Sequence, residues 1–168
     1  MGMANACLAS MFWRKTPPAP VKLTVSAPPV ASKGKKILIA DDDKVIRQTL
    51  SMKLKAAGYS VIEAEDGAGT VQNARYEAPD LIILDLSFPP DVANGGGVPW
   101  DGFMIMDWLR GYGECKHIPI IAISADELSR WEARATAKGA RAAFQKPIQT
   151  PNLISSIDEL LLVFGVHS

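Results

Sequence analysis

Residues 81–85 read Leu-Ile-Ile-Leu-Asp, four apolar residues closed by an acid. A short apolar run without alternation suits a strand buried on both faces, as in a parallel sheet with helices packed above and below it. Comparable stretches recur at 37–40 (Ile-Leu-Ile-Ala) and 118–123 (Ile-Pro-Ile-Ile-Ala-Ile), with shorter strand candidates at 60–63 and 142–144. Pro119 stands near the start of its run, where a missing N–H is tolerated.

Helical patterns fill the intervals. Asp43 is placed to cap a helix whose Ile46, Leu50, Leu54 and Ala57 share one face, and Gly58 is placed to end it in the left-handed conformation. Further helices are expected over 67–76, with Pro79 closing the connection, and from Phe103 to Tyr112 with Asp101 as a cap. Another is expected over 126–138, ahead of Gly139. A last helix is expected from a Thr150 cap, with Pro151 at its first position and Leu153, Ile154, Ile157, Leu160 and Leu161 turned inward. Strict alternation of strand and helix predicts one α/β domain with a doubly wound parallel sheet.

Composition narrows the functional classes. The chain has 168 residues, enough for one domain with a real core. Its 18 basic and 18 acidic residues give a formal net charge of zero, so no direct nucleic-acid partner is expected. Cys7 and Cys115 form no C-x-x-C pair and read as free thiols in a reducing cytosol. No apolar run reaches the roughly 18 residues of a transmembrane helix. The apolar start has Arg14 and Lys15 after it rather than a basic segment before it, and the sixth residue is Ala6, so neither a signal peptide nor a myristoylation site is expected. A cytoplasmic location follows as the expectation. Residues 1–34, broken by Pro17, Pro18, Pro20, Pro28 and Pro29, read as a flexible or polyproline-like leader, residues 35–164 as the domain, and residues 165–168 as the C-terminal end.

In a doubly wound sheet, ligands sit outside the carboxyl ends of the strands. Asp41, Asp42 and Asp43 follow the first strand, Asp85 the third, Ser124 the fourth, and Lys146 with Pro147 the fifth. Carboxylates about 4 Å apart repel by roughly 4 kcal/mol per pair at an effective dielectric near 20, so such a cluster calls for a cation. All-oxygen ligands with open positions suit Mg²⁺. A carboxylate beside the ion can attack an activated phosphoryl group, Lys146 can neutralise charge on that group, and Ser124 can donate a hydrogen bond to it. Each residue alone has a plainer reading: aspartates after strands cap helices, and Lys-Pro commonly marks a loop. Their joint occurrence on one rim carries the signal.

The segment from Lys36 to Ala57, the run Asp80-Leu-Ile-Ile-Leu-Asp85, the pair Ser124-Ala125 and Lys146-Pro147 resemble the receiver domain of two-component response regulators, over about residues 35–164. The resemblance implies a flavodoxin-like (βα)5 fold with strand order 2-1-3-4-5. It implies phosphorylation at Asp85, with Mg²⁺ held by Asp41, Asp42, Asp85 and the backbone carbonyl of Ser87. It also implies that Ser124 follows the phosphoryl group, that Lys146 pairs with it, and that the Lys146–Pro147 peptide is cis.

The sequence departs from that family at three places. Phe88-Pro89 stands for the usual Met-Pro, but Asp101-Gly102 follows Asp85 by sixteen residues instead of seven. The added stretch, Pro90 to Trp100, reads as a surface insertion, since loop extension costs little entropy; a sharper alternative has it border the Asp85 pocket. Ala143 occupies the position, three before Lys146, where members carry Tyr or Phe, and Phe144 is expected on the opposite strand face. Trp131 is expected as a half-buried packing residue. Ser168 follows closely on the last helix, so the readout is expected to be a protein contact, with a downstream target or a second copy.

The leading expectation is thus a stand-alone phosphoacceptor, serviced by a histidine kinase or a histidine phosphotransfer protein. It is a signalling domain rather than an enzyme, beyond self-catalysed phosphotransfer and autodephosphorylation. Two alternatives compete. A Mg²⁺-dependent phosphohydrolase would use Asp85 as nucleophile, but Ser87 stands where such enzymes often carry a second acid. A fold-only docking domain would have no need of the complete set of acids, hydroxyl and amine.

Overall fold

A computed structural model describes residues 34–88 and 101–164. The leader up to Lys33, the insertion through Trp100 and residues 165–168 lie outside the described residues. Five parallel strands form one sheet in the order β2-β1-β3-β4-β5. They are β1 (Lys36–Ala40), β2 (Ser60–Ala64), β3 (Leu81–Asp85), β4 (Ile120–Ser124) and β5 (Ala140–Gln145). The helices are α1 (Lys44–Ala56), α2 (Gly67–Tyr76), α3 (Gly102–Gly111), α4 (Glu132–Ala137) and α5 (Thr150–Phe164). This is the flavodoxin-like doubly wound arrangement expected from the sequence.

The central strands divide their side chains between two apolar layers. Leu38, Ile82, Leu84, Ile120 and Ala122 pack with Ile105, Met106 and Leu109 of α3 and Ala135 of α4. Ile37, Ile39, Leu81, Ile83, Ile121 and Ile123 pack with Leu50 and Leu54 of α1 and Leu153, Ile157 and Leu161 of α5. All five residues of β3 are buried, which explains its apolar reading at every position. Each fully buried Leu or Ile contributes about 1.5–3 kcal/mol relative to exposure.

Local chemistry sets the helix ends. Asp43 caps α1 by accepting from the N–H groups of Val45 and Ile46 at 2.8 and 3.2 Å. Asp101 caps α3 by accepting from Met104 N–H at 2.7 Å. Gly58 and Gly139 take positive φ, 99° and 98°, just after α1 and α4.

Ile46, Leu50, Leu54 and Ala57 share one face as expected, Ile46 and Ala57 at its partly buried margin, and Arg47 and Ser51 of α1 are buried as well. Several expected boundaries are corrected. β4 begins at Ile120, because Ile118 N–H turns back to Cys115 and Pro119 has no N–H to give. β5 extends over six residues. Thr150 lies inside α5 rather than capping it, since Leu153 N–H bonds the carbonyl of Gln149 at 3.1 Å. The expected helix over 126–138 is broken: a 3₁₀ turn spans Leu128–Arg130 and α4 starts only at Glu132. The Ser124 hydroxyl accepts from Asp126 N–H at 3.2 Å, a local bond that competes with helix initiation. Trp131 then turns inward, with 6% exposure, and its indole N–H bonds the Asp126 carbonyl at 3.2 Å. It is therefore a buried residue, not a half-buried one.

Candidate functional site

The strand register brings the expected residues to one rim. Ala40 pairs with Leu84, Asp85 with Ile123, and Ser124 with Gln145, so Asp41, Asp85, Ser124 and Lys146 lie side by side at the carboxyl edge. Lys146 N–H continues the ladder onto the Ser124 carbonyl at 2.8 Å. The Lys146–Pro147 peptide bond is cis.

One oxygen from each of Asp41, Asp42 and Asp85 falls within 4.8 Å of the others. Asp41 is fully buried and Asp85 is 2% exposed, whereas Asp42 faces solvent. Lys146 Nζ lies 2.6 Å from Asp85 Oδ2 and 2.8 Å from Asp41 Oδ2. The Asp85 contact is a hydrogen bond, whereas Asp41 Oδ2 has the ion-pair distance but no aligned donor. The remaining oxygens are tied to backbone: Asp41 Oδ1 accepts from Asp43 N–H and Asp85 Oδ1 from Ser87 N–H, both at 2.9 Å.

The charges do not balance. Burial pushes the Asp41 carboxyl above the usual carboxylate range, partly offset by Lys146 and reinforced by the Asp85 charge. Burial alone would lower Lys146, but two carboxylates outweigh it and hold the amine above its ordinary value. The two upward shifts have different causes: burial raises Asp41, and the two carboxylates raise Lys146. Two buried carboxylates and an exposed third, served by a single amine inside an all-oxygen set, fit a hard divalent cation such as Mg²⁺.

Ser124 is buried and reaches the cluster through Ser87, whose hydroxyl lies 3.0 Å away. Ala143 pairs with Ala122 and packs in the α3–α4 layer, while Phe144 belongs to the α1–α5 layer, so no aromatic of β5 stands on the Ser124 side at that position.

Two contributors were not singled out from sequence. Arg47, 7% exposed, donates to the carbonyls of Asp41 and Asp42 at 2.6 and 3.3 Å and pairs with Glu63 and Glu65. It therefore fixes the turn that carries the acid pair. The available signal was its spacing of three and seven from Leu50 and Leu54, which puts it on the buried face of α1. Gly102 packs so closely that a Cβ there would lie 2.5 Å from Leu86 Cα and closer still to the Asp85 carbonyl oxygen. A side chain at this position would displace the backbone that presents Asp85.

A doubly wound sheet with three acids, a hydroxyl and an amine at its carboxyl rim defines a class of acidic-pocket α/β domains. Within that class, the family profile described as "Response regulator receiver domain" matches residues 37–158, and the chain belongs to this family. It is 30% identical over 127 residues to the polar-differentiation response regulator DivK of Brucella anthropi, covering 76% of this chain and 96% of that protein. The Brucella ovis DivK matches at the same identity and coverage. Among solved structures, the Vibrio cholerae chemotaxis protein CheY4 superposes with a TM-score of 0.66 at 28% identity, covering 76% of this chain and 99% of that one. A CheY-like receiver domain from Methanospirillum hungatei gives 0.69 at 21% identity over 81% of this chain and all of its own, a likeness of fold. Receiver domains are signalling domains that work with histidine kinases and downstream targets, and the family binds Mg²⁺ at its acidic pocket. Among the described residues, no helix is long and apolar enough to cross a membrane.

Proposed function

We propose that Asp85 accepts a phosphoryl group from the phosphohistidine of a histidine kinase or phosphotransfer protein. A carboxylate oxygen of Asp85 forms the new O–P bond as the N–P bond breaks, and the imidazole leaves with that electron pair. Asp41, Asp42, Asp85 and the Ser87 backbone carbonyl would hold Mg²⁺, which would supply charge neutralisation for the transferred group. Lys146 moves from the Asp85 carboxylate to the phosphoryl oxygens, and Ser124 turns its hydroxyl toward them. The added charge of about −1.5 to −2 biases the segment after β4, which passes the signal to a protein target or a second copy.

The observation that carries this reading is Lys146 Nζ bridging Asp41 and Asp85 at 2.8 and 2.6 Å, with Asp41 Oδ2 lacking an aligned donor. The test is exposure to Mg²⁺ with acetyl phosphate, or a beryllofluoride titration, on wild type and Asp85→Asn. A mass gain of one phosphoryl group, or a saturable fluorescence response, is expected in wild type alone. No response in wild type overturns the reading and leaves a fold-only docking domain.

A further inference from the structure

An aromatic patch stands away from the acidic pocket, at the C-terminal ends of α2 and α3. Tyr76 is 74% exposed and Trp108 45% exposed. Trp108 and Tyr112 pack at 5.9 Å between ring centroids, and Arg75 lies over Tyr112 at 4.7 Å and over Tyr76 at 5.7 Å. Asp107, Trp108, Gly111 and Tyr112 line an open depression of about 390 Å³. A tilted pair of rings beside an open groove, with a third exposed ring across Arg75, is the kind of surface on which proline-rich segments dock, because an extended proline helix loses little entropy on binding and lays flat rings against flat rings.

The chain carries such a segment. Pro17-Pro18-Ala19-Pro20 is a P-x-x-P run, preceded by Arg14 and Lys15. The described fold starts at Gly34, whose N–H bonds the Gly58 carbonyl at 2.9 Å, and two residues on Lys36 Nζ reaches both the carbonyl and the carboxylate of Glu77, the residue after Tyr76. Thirteen residues, Val21 to Lys33, separate Pro20 from Gly34. Fully extended they span about 40 Å, and as a flexible coil about 20 Å, either being ample to reach a neighbouring helix end. Charge sets a weaker condition: the acids at the patch are already paired, so the leader's cations meet them only as additional partners. Residues 1–33 hold four basic residues and no acid; since the whole chain sums to zero, the remainder carries minus four. Glu77, Asp107 and Glu114, all exposed, rim the patch, paired respectively with Lys36, Lys138 and Arg75.

We propose that the leader's Arg14–Pro20 segment docks on the Tyr76–Trp108–Tyr112 patch of its own chain. Tethering gives an effective concentration of order 1 mM, so a contact too weak to form between separate molecules is populated within one. The α2–α3 face is then covered in the isolated protein, and a partner for that face must displace the leader.

The full-length chain supplies its own probe site. Cys115 is buried, so a nitroxide reagent labels Cys7 selectively. Paramagnetic broadening is read on the Trp108 indole and Gly111 amide signals, against the same sample after the nitroxide is reduced. The proposal expects loss of both signals in wild type, their recovery in Pro17→Ser/Pro20→Ser, and recovery of Gly111 in Trp108→Ala. Broadening confined to residues around Gly34, or equal in the proline variant, overturns it. Broadening that appears only when labelled chain is mixed with isotope-labelled chain places a second copy on the patch and overturns the intramolecular form. None of these readouts depends on phosphorylation.

Discussion

The hydroxyls of Ser87 and Ser124 lie 3.0 Å apart, joining the loop after β3 to the end of β4 directly beside Asp85. Ser124 also accepts from Asp126 N–H, so its hydroxyl is engaged before any phosphoryl group arrives. Under the phosphorylation proposed for Asp85, the phosphoryl group competes with Ser87 for the Ser124 hydroxyl. Ser87→Ala removes the competitor, worth about 1 kcal/mol for one neutral hydrogen bond. Beryllofluoride affinity is expected to rise about fivefold in Ser87→Ala and to fall in Ser124→Ala. A fall in both variants would mean that Ser87 serves the phosphoryl group itself.

Asp126 links Ser124 to Trp131, taking the Ser124 oxygen on its N–H and giving its carbonyl to the indole at 3.2 Å. With Ala143 at the strand position of the family's aromatic, this route offers an aromatic reporter in the α3–α4 layer. Trp131→Phe keeps an apolar ring but deletes the N–H donor, at a stability cost of about 1–2 kcal/mol. The expected result is retained phosphorylation with loss of the fluorescence change on beryllofluoride binding. An unchanged response would place the reporting tryptophan elsewhere in the chain.

The site was legible in the sequence because its residues follow apolar runs, and the end of a buried strand can be read from composition alone. Asp85 after Leu81–Leu84 is the clearest case. The segment after Ser124 was not legible in the same way. Asp126 to Lys138 has helix-forming composition, but a hydroxyl two residues upstream and one buried indole take its first backbone groups. Those bonds depend on tertiary placement and leave no periodic trace. Arg47 was obscured for the opposite reason: its charge suggests solvent, whereas its position on α1 is buried against the carbonyls of the Asp41–Asp42 turn.

Gly102 tests how firmly the Asp85 backbone is seated. A Cβ would meet Leu86 Cα at 2.5 Å and the Asp85 carbonyl, neither of which is the movable end of a flexible side chain. Gly102→Ala is therefore expected to destabilise the fold by about 2 kcal/mol or more, despite alanine's better helix propensity. Denaturant unfolding reads the stability, and Mg²⁺ titration reads the displacement of Asp85 as weakened binding. The control is Gly111→Ala, where nothing lies within 4 Å of the added carbon; it should be neutral or stabilising.

Cys115 gives a prediction about pH. The thiol is 1% exposed, and burial together with the Glu114 charge pushes it above the ordinary thiol value. A group whose folded pKa is raised favours the fold while it stays protonated. That contribution is fully present below the ordinary value of 9.0 and is lost as pH rises through the higher folded value. Stability should therefore decline above about pH 9 by this route, and Cys115→Ala should flatten the decline while costing about 1 kcal/mol at neutral pH. In a Cys7→Ser background, alkylation of Cys115 at neutral pH should proceed only as fast as the protein opens, and denaturant should accelerate it in step with unfolding. Rapid alkylation under native conditions would show that α3 and the turn after it open independently of the sheet.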